Sequence, residues 1–236
     1  CSGPLSGQFL NAGRRSIMAP AGASYSHISD TTAAGGKDSC TSGTMNTGAA
    51  HLVVCALADY SANAAASLLS STGDSFTCLT RYSNVSWQPT ARICYKFSPT
   101  NSTIYSVTGT GTASYCSITC SSFSGGTAAD TGKDVGKSVT ATPVSVGNIT
   151  PSVSGALVIT MISAGVGTTV PYDPNGAGST GPTYTKSTAG MNAANGCCFS
   201  LDMAWQIQTT PTLVNNVWTF TGSTALGMSL AQAAFK

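Results

Sequence analysis

Not one glutamate occurs among the 236 residues of this chain, and its eight acidic residues are all aspartate. Charged side chains make up 8% of the sequence, against the roughly 25% usual for soluble domains. Serine and threonine supply 33 residues each, and glycine adds 26. Exposed helix faces are normally filled with Glu, Lys and Arg, whereas Thr and other β-branched residues suit strands. A surface built from Ser, Thr, Asn and Gly therefore points to sheets and turns. The net charge of +2 leaves little repulsion between copies, which fits a secreted protein or one packed into an assembly. Ten basic residues scattered along the chain make no footprint for nucleic acid.

The length is enough for a full hydrophobic core. The longest apolar segment, 155–167, falls short of the roughly 18 residues of a membrane helix, so no transmembrane segment is expected. Residues 1–23 show no sustained period and carry the Arg14-Arg15 pair; they read as an N-terminal arm. From Ser24 to Lys236, short apolar runs alternate with Gly/Ser/Thr/Asn punctuation, the pattern of a single all-β domain. Strands are expected at 24–29, 37–45, 51–59, 75–82, 91–98, 102–109, 114–123, 137–146, 155–164, 198–208, 216–221 and 226–235. Residues 61–71 (SANAAASLLSS) have the composition of a short connecting helix. The fold class that results is an antiparallel β-sandwich, of jelly-roll type, with an extended arm.

Nine cysteines set the compartment: Cys1, Cys40, Cys55, Cys78, Cys94, Cys116, Cys120, Cys197 and Cys198. There is no CxxC pair, and His27 and His51 are the only imidazoles, so no zinc spacing is present. Disulfides in an oxidising, extracellular setting account for the pattern best. If 75–82 and 91–98 form a hairpin, Cys78 and Cys94 face each other across it. Cys116 and Cys120 lie on one face of one strand about 13 Å apart and cannot bond each other. Their partners lie among Cys40, Cys55, Cys197 and Cys198. Cys1, followed by Ser2 and Gly3, is compatible with a lipid-bearing N-terminus as well as with a leftover thiol.

The motifs that suggest chemistry fail on context. Residues 132–138 (GKDVGKS) resemble a phosphate-binding loop but lack its first glycine, and read as a polar turn. Residues 176–181 match GxGxxG but follow PYDPN and run into Pro182, which makes them an exposed flexible loop with no nucleotide role. Asp173 and Asn175 beside it supply too few acidic ligands for a closed calcium site. Eight Asp with no recognisable pair, two His and no GxSxG elbow give no catalytic constellation. The expectation is a protein without catalytic, cofactor or metal residues. Asn84, Asn101 and Asn148 head N-glycosylation sequons, a number that eleven Asn in so Ser/Thr-rich a chain would produce by chance. Trp205 and Trp218 fall in strands as core residues, while Trp87, in the expected hairpin loop, is the better ligand contact.

Several segments, taken in order, carry a resemblance. They are AHLVVCALADY (50–60), SYCSITCSSFSG (114–125), SVTATPVSVGNITPSVSGALVIT (138–160), AWQIQ (204–208), VWTFTGS (217–223) and MSLAQAAFK (228–236). Together they resemble β-sandwich domains of phage tail-associated and bacterial surface proteins. Gly155-Ala156 stands where that family usually has Gly-Asp, and the family is seldom so rich in cysteine. The resemblance implies a structural role, as subunit or decoration of an extracellular fibre, filament or virion surface. Self-association would run through edge strands and the N-terminal arm. The alternative from another class is a carbohydrate-binding adhesin, in which Trp87 and the 174–182 loop meet a surface glycan.

Overall fold

The computed structural model describes residues 22–59, 67–83, 90–139, 143–165, 172–187, 193–195, 199–220 and 227–236. They fold entirely as strands, turns and loops, and no helix among them is long and apolar enough to cross a membrane. The chain completes its first sheet before it begins the second. β1 (Ser26–Thr41), β2 (Leu52–Asp59), β4 (Thr77–Cys78), β6 (Thr90–Phe97) and β7 (Val107–Ser124) lie in the order β1-β7-β2-β6-β4. β3 (Ser67–Ser70) pairs with β7, and β5 (Tyr82–Ser83) with β6. The second sheet takes β8 (Ala129–Val139), β10 (Ala156–Ala164), β12 (Thr185–Lys186), β14 (Phe199–Gln208) and β16 (Met228–Phe235) in the order β12-β14-β10-β16-β8. β13 (Ala193–Asn195) also pairs with β14. A third sheet has the order β11-β15-β9, from β11 (Tyr172–Asp173), β15 (Val214–Phe220) and β9 (Val144–Ile149). Every ladder between these strands is antiparallel.

Three sheets leave the central strands no wet face. Side chains alternate across a strand, so Leu52, Val54, Ala56 and Ala58 of β2 meet Leu157, Ile159 and Met161 of β10 and Ala231, Ala233 and Phe235 of β16. Val53, Cys55 and Leu57 point the other way, into an outer cluster closed by Met45, Leu68 and Tyr105. The second sheet repeats this arrangement. Val158, Ile162, Leu230 and Ala234 leave its far face to meet Val144, Val214, Trp218 and Phe220 of the third sheet. β2, β10 and β16 are consequently buried at every position, which is why they read as unbroken apolar runs.

The all-β expectation holds, with corrections to individual elements. The two strands expected at 24–29 and 37–45 are one, β1, whose bulges near His27, Ala34 and Lys37 break the simple alternation. Residues 102–106 form a loop joined to Met45 by a bridge at Tyr105, and β7 begins only at Val107. The strand expected at 137–146 is two, β8 and β9, in different sheets. β8 runs through the GKDVGKS stretch expected as a turn, because β16 supplies a partner along nearly its whole length. Gly136 fits there because any Cβ would run into the Leu230 carbonyl and the Tyr82 ring. Of the helix expected at 61–71, residues 67–70 are strand β3: Leu68 is buried in the outer cluster and pairing with β7 outweighs local propensity. Residues 61–66 of that stretch lie outside the described residues.

Candidate functional site

Two of the places that gather polar groups among the described residues bear on function. The first is a cleft of about 730 Å³ at the seam between the chain's two halves. Its wall is drawn from the ends of several strands: Ser24 before β1, His51 before β2, Phe97 and Ser98 closing β6, Gly125 after β7, and Lys236 after β16. Gly125 donates its N–H to His51 Nδ1 at 2.9 Å, which leaves Nε2 to carry the ring proton. Gly125 has φ +83°, and a Cβ there would strike the Ser24 carbonyl, so only glycine permits this approach. Ser98, at φ 48°, is the one non-glycine residue with a positive φ among the described residues, a strain often stored at functional sites. Lys236 stands 3.6 Å from Asp130, whose carboxylate is held by the Ser152 N–H and hydroxyl. The cleft therefore offers an imidazole N–H, an ammonium, hydroxyls and one aromatic side chain. Such a set can hold a polar or acidic ligand; pockets of this volume are ordinary for small molecules.

The second place is the buried layer between the second and third sheets. Ser200, Asp202, Gln206 and Gln208 alternate along β14 with Leu201, Met203, Trp205 and Ile207. By period they read as a solvent face, yet the third sheet and the 174–187 segment cover them. Thr160 accepts from Trp218 Nε1 at 3.0 Å and donates to Asn216 Oδ1 at 2.8 Å. Tyr184 donates to Gln232 Oε1 at 3.1 Å, and Tyr172 shares a hydrogen bond with Ser200. Burial raises both phenols well above the ordinary tyrosine range. Asp202 is fully buried; Lys186 Nζ lies 2.7 Å from its Oδ2, and Met203 N–H binds Oδ1 at 2.9 Å. Desolvation pushes Asp202 up to about 7 despite the lowering effect of Lys186. Gln206, also buried, has neither end of its amide paired with protein.

The residues singled out by sequence fall in several settings. Cys78 is bonded to Cys94 across β4 and β6, as the hairpin symmetry required. Cys40 is bonded to Cys116 and Cys55 to Cys120, which gives the two same-face cysteines separate partners. Cys1, Cys197, Cys198, Asn84 and Trp87 lie outside the described residues. Asn101 is exposed in the loop between β6 and β7, and Asn148 is exposed within β9. Trp218 is fully buried, while Trp205 is half-buried and stacks on His27 with ring centroids 5.3 Å apart. The 174–182 loop is largely exposed, as expected, but it is tied along β15. Gly176 N–H donates to Val217 O, Val217 N–H to Ser179 Oγ, and Thr180 N–H to Asn215 O. It contributes nothing to the cleft. Among the described residues there is no cluster of three or more His, Cys, Asp or Glu fit to hold a metal.

Sequence presents His51 only as a catalytic base without partners, and it singles out neither Lys236 nor the Lys186–Asp202 pair. The polar alternation in β14 is the available signal for the pair. Together these features define the class: a disulfide-stapled, three-sheet, antiparallel β-domain with a surface cleft and a polar interior layer. No family model matches the chain, no curated protein matches it, and no solved structure matches it.

Proposed function

We propose that the protein is a non-catalytic structural subunit of an extracellular fibre, filament or virion surface, assembling through an edge strand and the N-terminal arm. The observation that carries this reading is β1. It spans Ser26–Thr41, contains no proline, has Asp30, Lys37 and Asp38 as its charged residues, and pairs on one side with β7. Among the described residues no strand pairs with its other side. Edge strands that must stay single are usually short, charged, bulged or interrupted by proline; β1 has bulges but is long and free of proline. The opposite choice is seen at β8, the edge of the second sheet, which carries Asp130, Lys133, Asp134 and Lys137. The start of β1 also lies beside the point where the arm reaches the body, since Ala23 N–H donates to the Ser154 carbonyl. Three disulfides support an oxidising, extracellular location.

The test is the assembly state of the full chain. Sedimentation and electron microscopy should show concentration-dependent polymers. Placing lysine on the strand, as Ile28→Lys with Ser39→Lys, and deleting residues 1–21 should each weaken them. A full-length protein that stays monomeric at the highest attainable concentration defeats the reading. The seam cleft supports a second reading, a carbohydrate-binding adhesin, because Phe97 offers an apolar ring beside the donors of His51 and Lys236. Glycan-array binding lost in His51→Ala, with Trp87→Ala in parallel, would favour that reading.

A further inference from the structure

We propose that Lys186 and Asp202 become joined by an amide bond between Nζ and Cγ, formed by the chain itself without an added enzyme or cofactor. The two groups are already in contact, with Nζ 2.7 Å from Oδ2. The carboxylate has distinct roles for its two oxygens. Oδ1 accepts from the Met203 N–H at 2.9 Å, so charge that develops on it during attack has a donor in place. Oδ2 faces the amine and is the oxygen that leaves.

The step balances within the pair. A proton passes from the ammonium to the carboxylate, giving a neutral amine and a carboxylic acid. The amine lone pair attacks Cγ, the N–Cγ bond forms, and the Cγ–Oδ2 bond breaks. The departing oxygen takes one proton from the acid and one from the amine, and one water is released. Nothing is oxidised or reduced. Burial of the Asp202 carboxyl favours the protonated acid from which the reaction starts. Holding two reactants in contact is worth an effective concentration of roughly 10⁵–10⁸ M in well-oriented cases. The product replaces an ion pair whose carboxylate is buried with a neutral amide and ties β12, a two-residue strand, to β14 beside it.

Intact mass spectrometry of the full-length, purified protein tests this. After prolonged incubation at neutral pH, and after the disulfide hydrogens are accounted for, the chain should be lighter than its sequence by one water. Digestion should then yield one branched peptide containing both residues 186 and 202, which separates the bond from a dehydrated aspartate elsewhere. Asp202→Asn should lose ammonia in place of water, giving the same branched peptide, and Lys186→Arg should keep its full mass. Wild-type protein that retains the full mass, or that loses water yet yields residues 186 and 202 only on separate peptides, overturns the proposal.

Discussion

The two halves of the chain bury comparable strands by different means. The described residues between 22 and 124 form one sheet whose outer face packs on Met45, Leu68 and Tyr105, and all three disulfides seen among the described residues lie there. Residues 129–236 form two sheets that cover each other, and their shared layer holds hydrogen-bonded polar groups where the first half has sulfur. A sheet closed by loops gains from cross-links that restrict the unfolded chain. A sheet with a full partner layer gains from area and from paired polar groups. Sulfur substitutes for a layer.

If that comparison is right, perturbations should separate the halves. Removing both long-range bridges, Cys40–Cys116 and Cys55–Cys120, as paired alanine variants should cost roughly 6 kcal/mol, because each closes a loop of many residues. Denaturant unfolding should show this loss, with hydrogen exchange rising first in β1, β2 and β7. Equal loosening of both halves would break the comparison. In the second half, Trp218→Ala should cost about 4 kcal/mol, since it empties the largest fully buried side chain among the described residues. Exchange should rise in β9, β10 and β15 and leave the first sheet protected.

The polar layer gives a pH window. Burial lifts Asp202 from 3.8 to about 7, so the folded chain binds that proton more tightly than the unfolded chain does. An unjoined pair is then most favourable to stability below about pH 4 and loses up to about 4 kcal/mol as the pH rises through 7. Lys186→Arg should show that slope in denaturation midpoints. The wild-type chain, with both groups consumed in an amide, should lack this contribution. The smallest effect belongs to Thr160→Val, at about 2 kcal/mol, because it strands the Trp218 N–H and deprives Asn216 Oδ1 of its donor. Its indole emission should change with little loss of secondary structure.

What could be read from the sequence follows from the same contrast. Wherever pattern and burial agree, as in β2, β6, β10 and β16, the expected and observed strands differ by a residue or two. Patterning failed where a neighbouring sheet changes what alternation means. Ser200, Asp202, Gln206 and Gln208 look like a wet face because nothing local announces the third sheet above them. Residues 132–138 look like a turn because strand pairing with β16 is a long-range fact. Cysteine geometry was legible in part. Symmetry about a hairpin identified Cys78–Cys94, whereas the partners of Cys116 and Cys120 depend on β1 and β2 flanking β7. The cleft had no local signal at all, since its wall is assembled from chain ends of many strands.

The arrangement of the bridges has a consequence for proteolysis. The loops 40–116 and 55–120 interlock, and 78–94 lies inside both. A protease that cuts anywhere between Cys55 and Cys116 therefore leaves two fragments still joined by at least two covalent links. On a gel without reductant, such a nicked molecule runs as one piece, and reductant alone reveals the cut. For a molecule exposed to digestive surroundings, a severed backbone is then not a severed subunit.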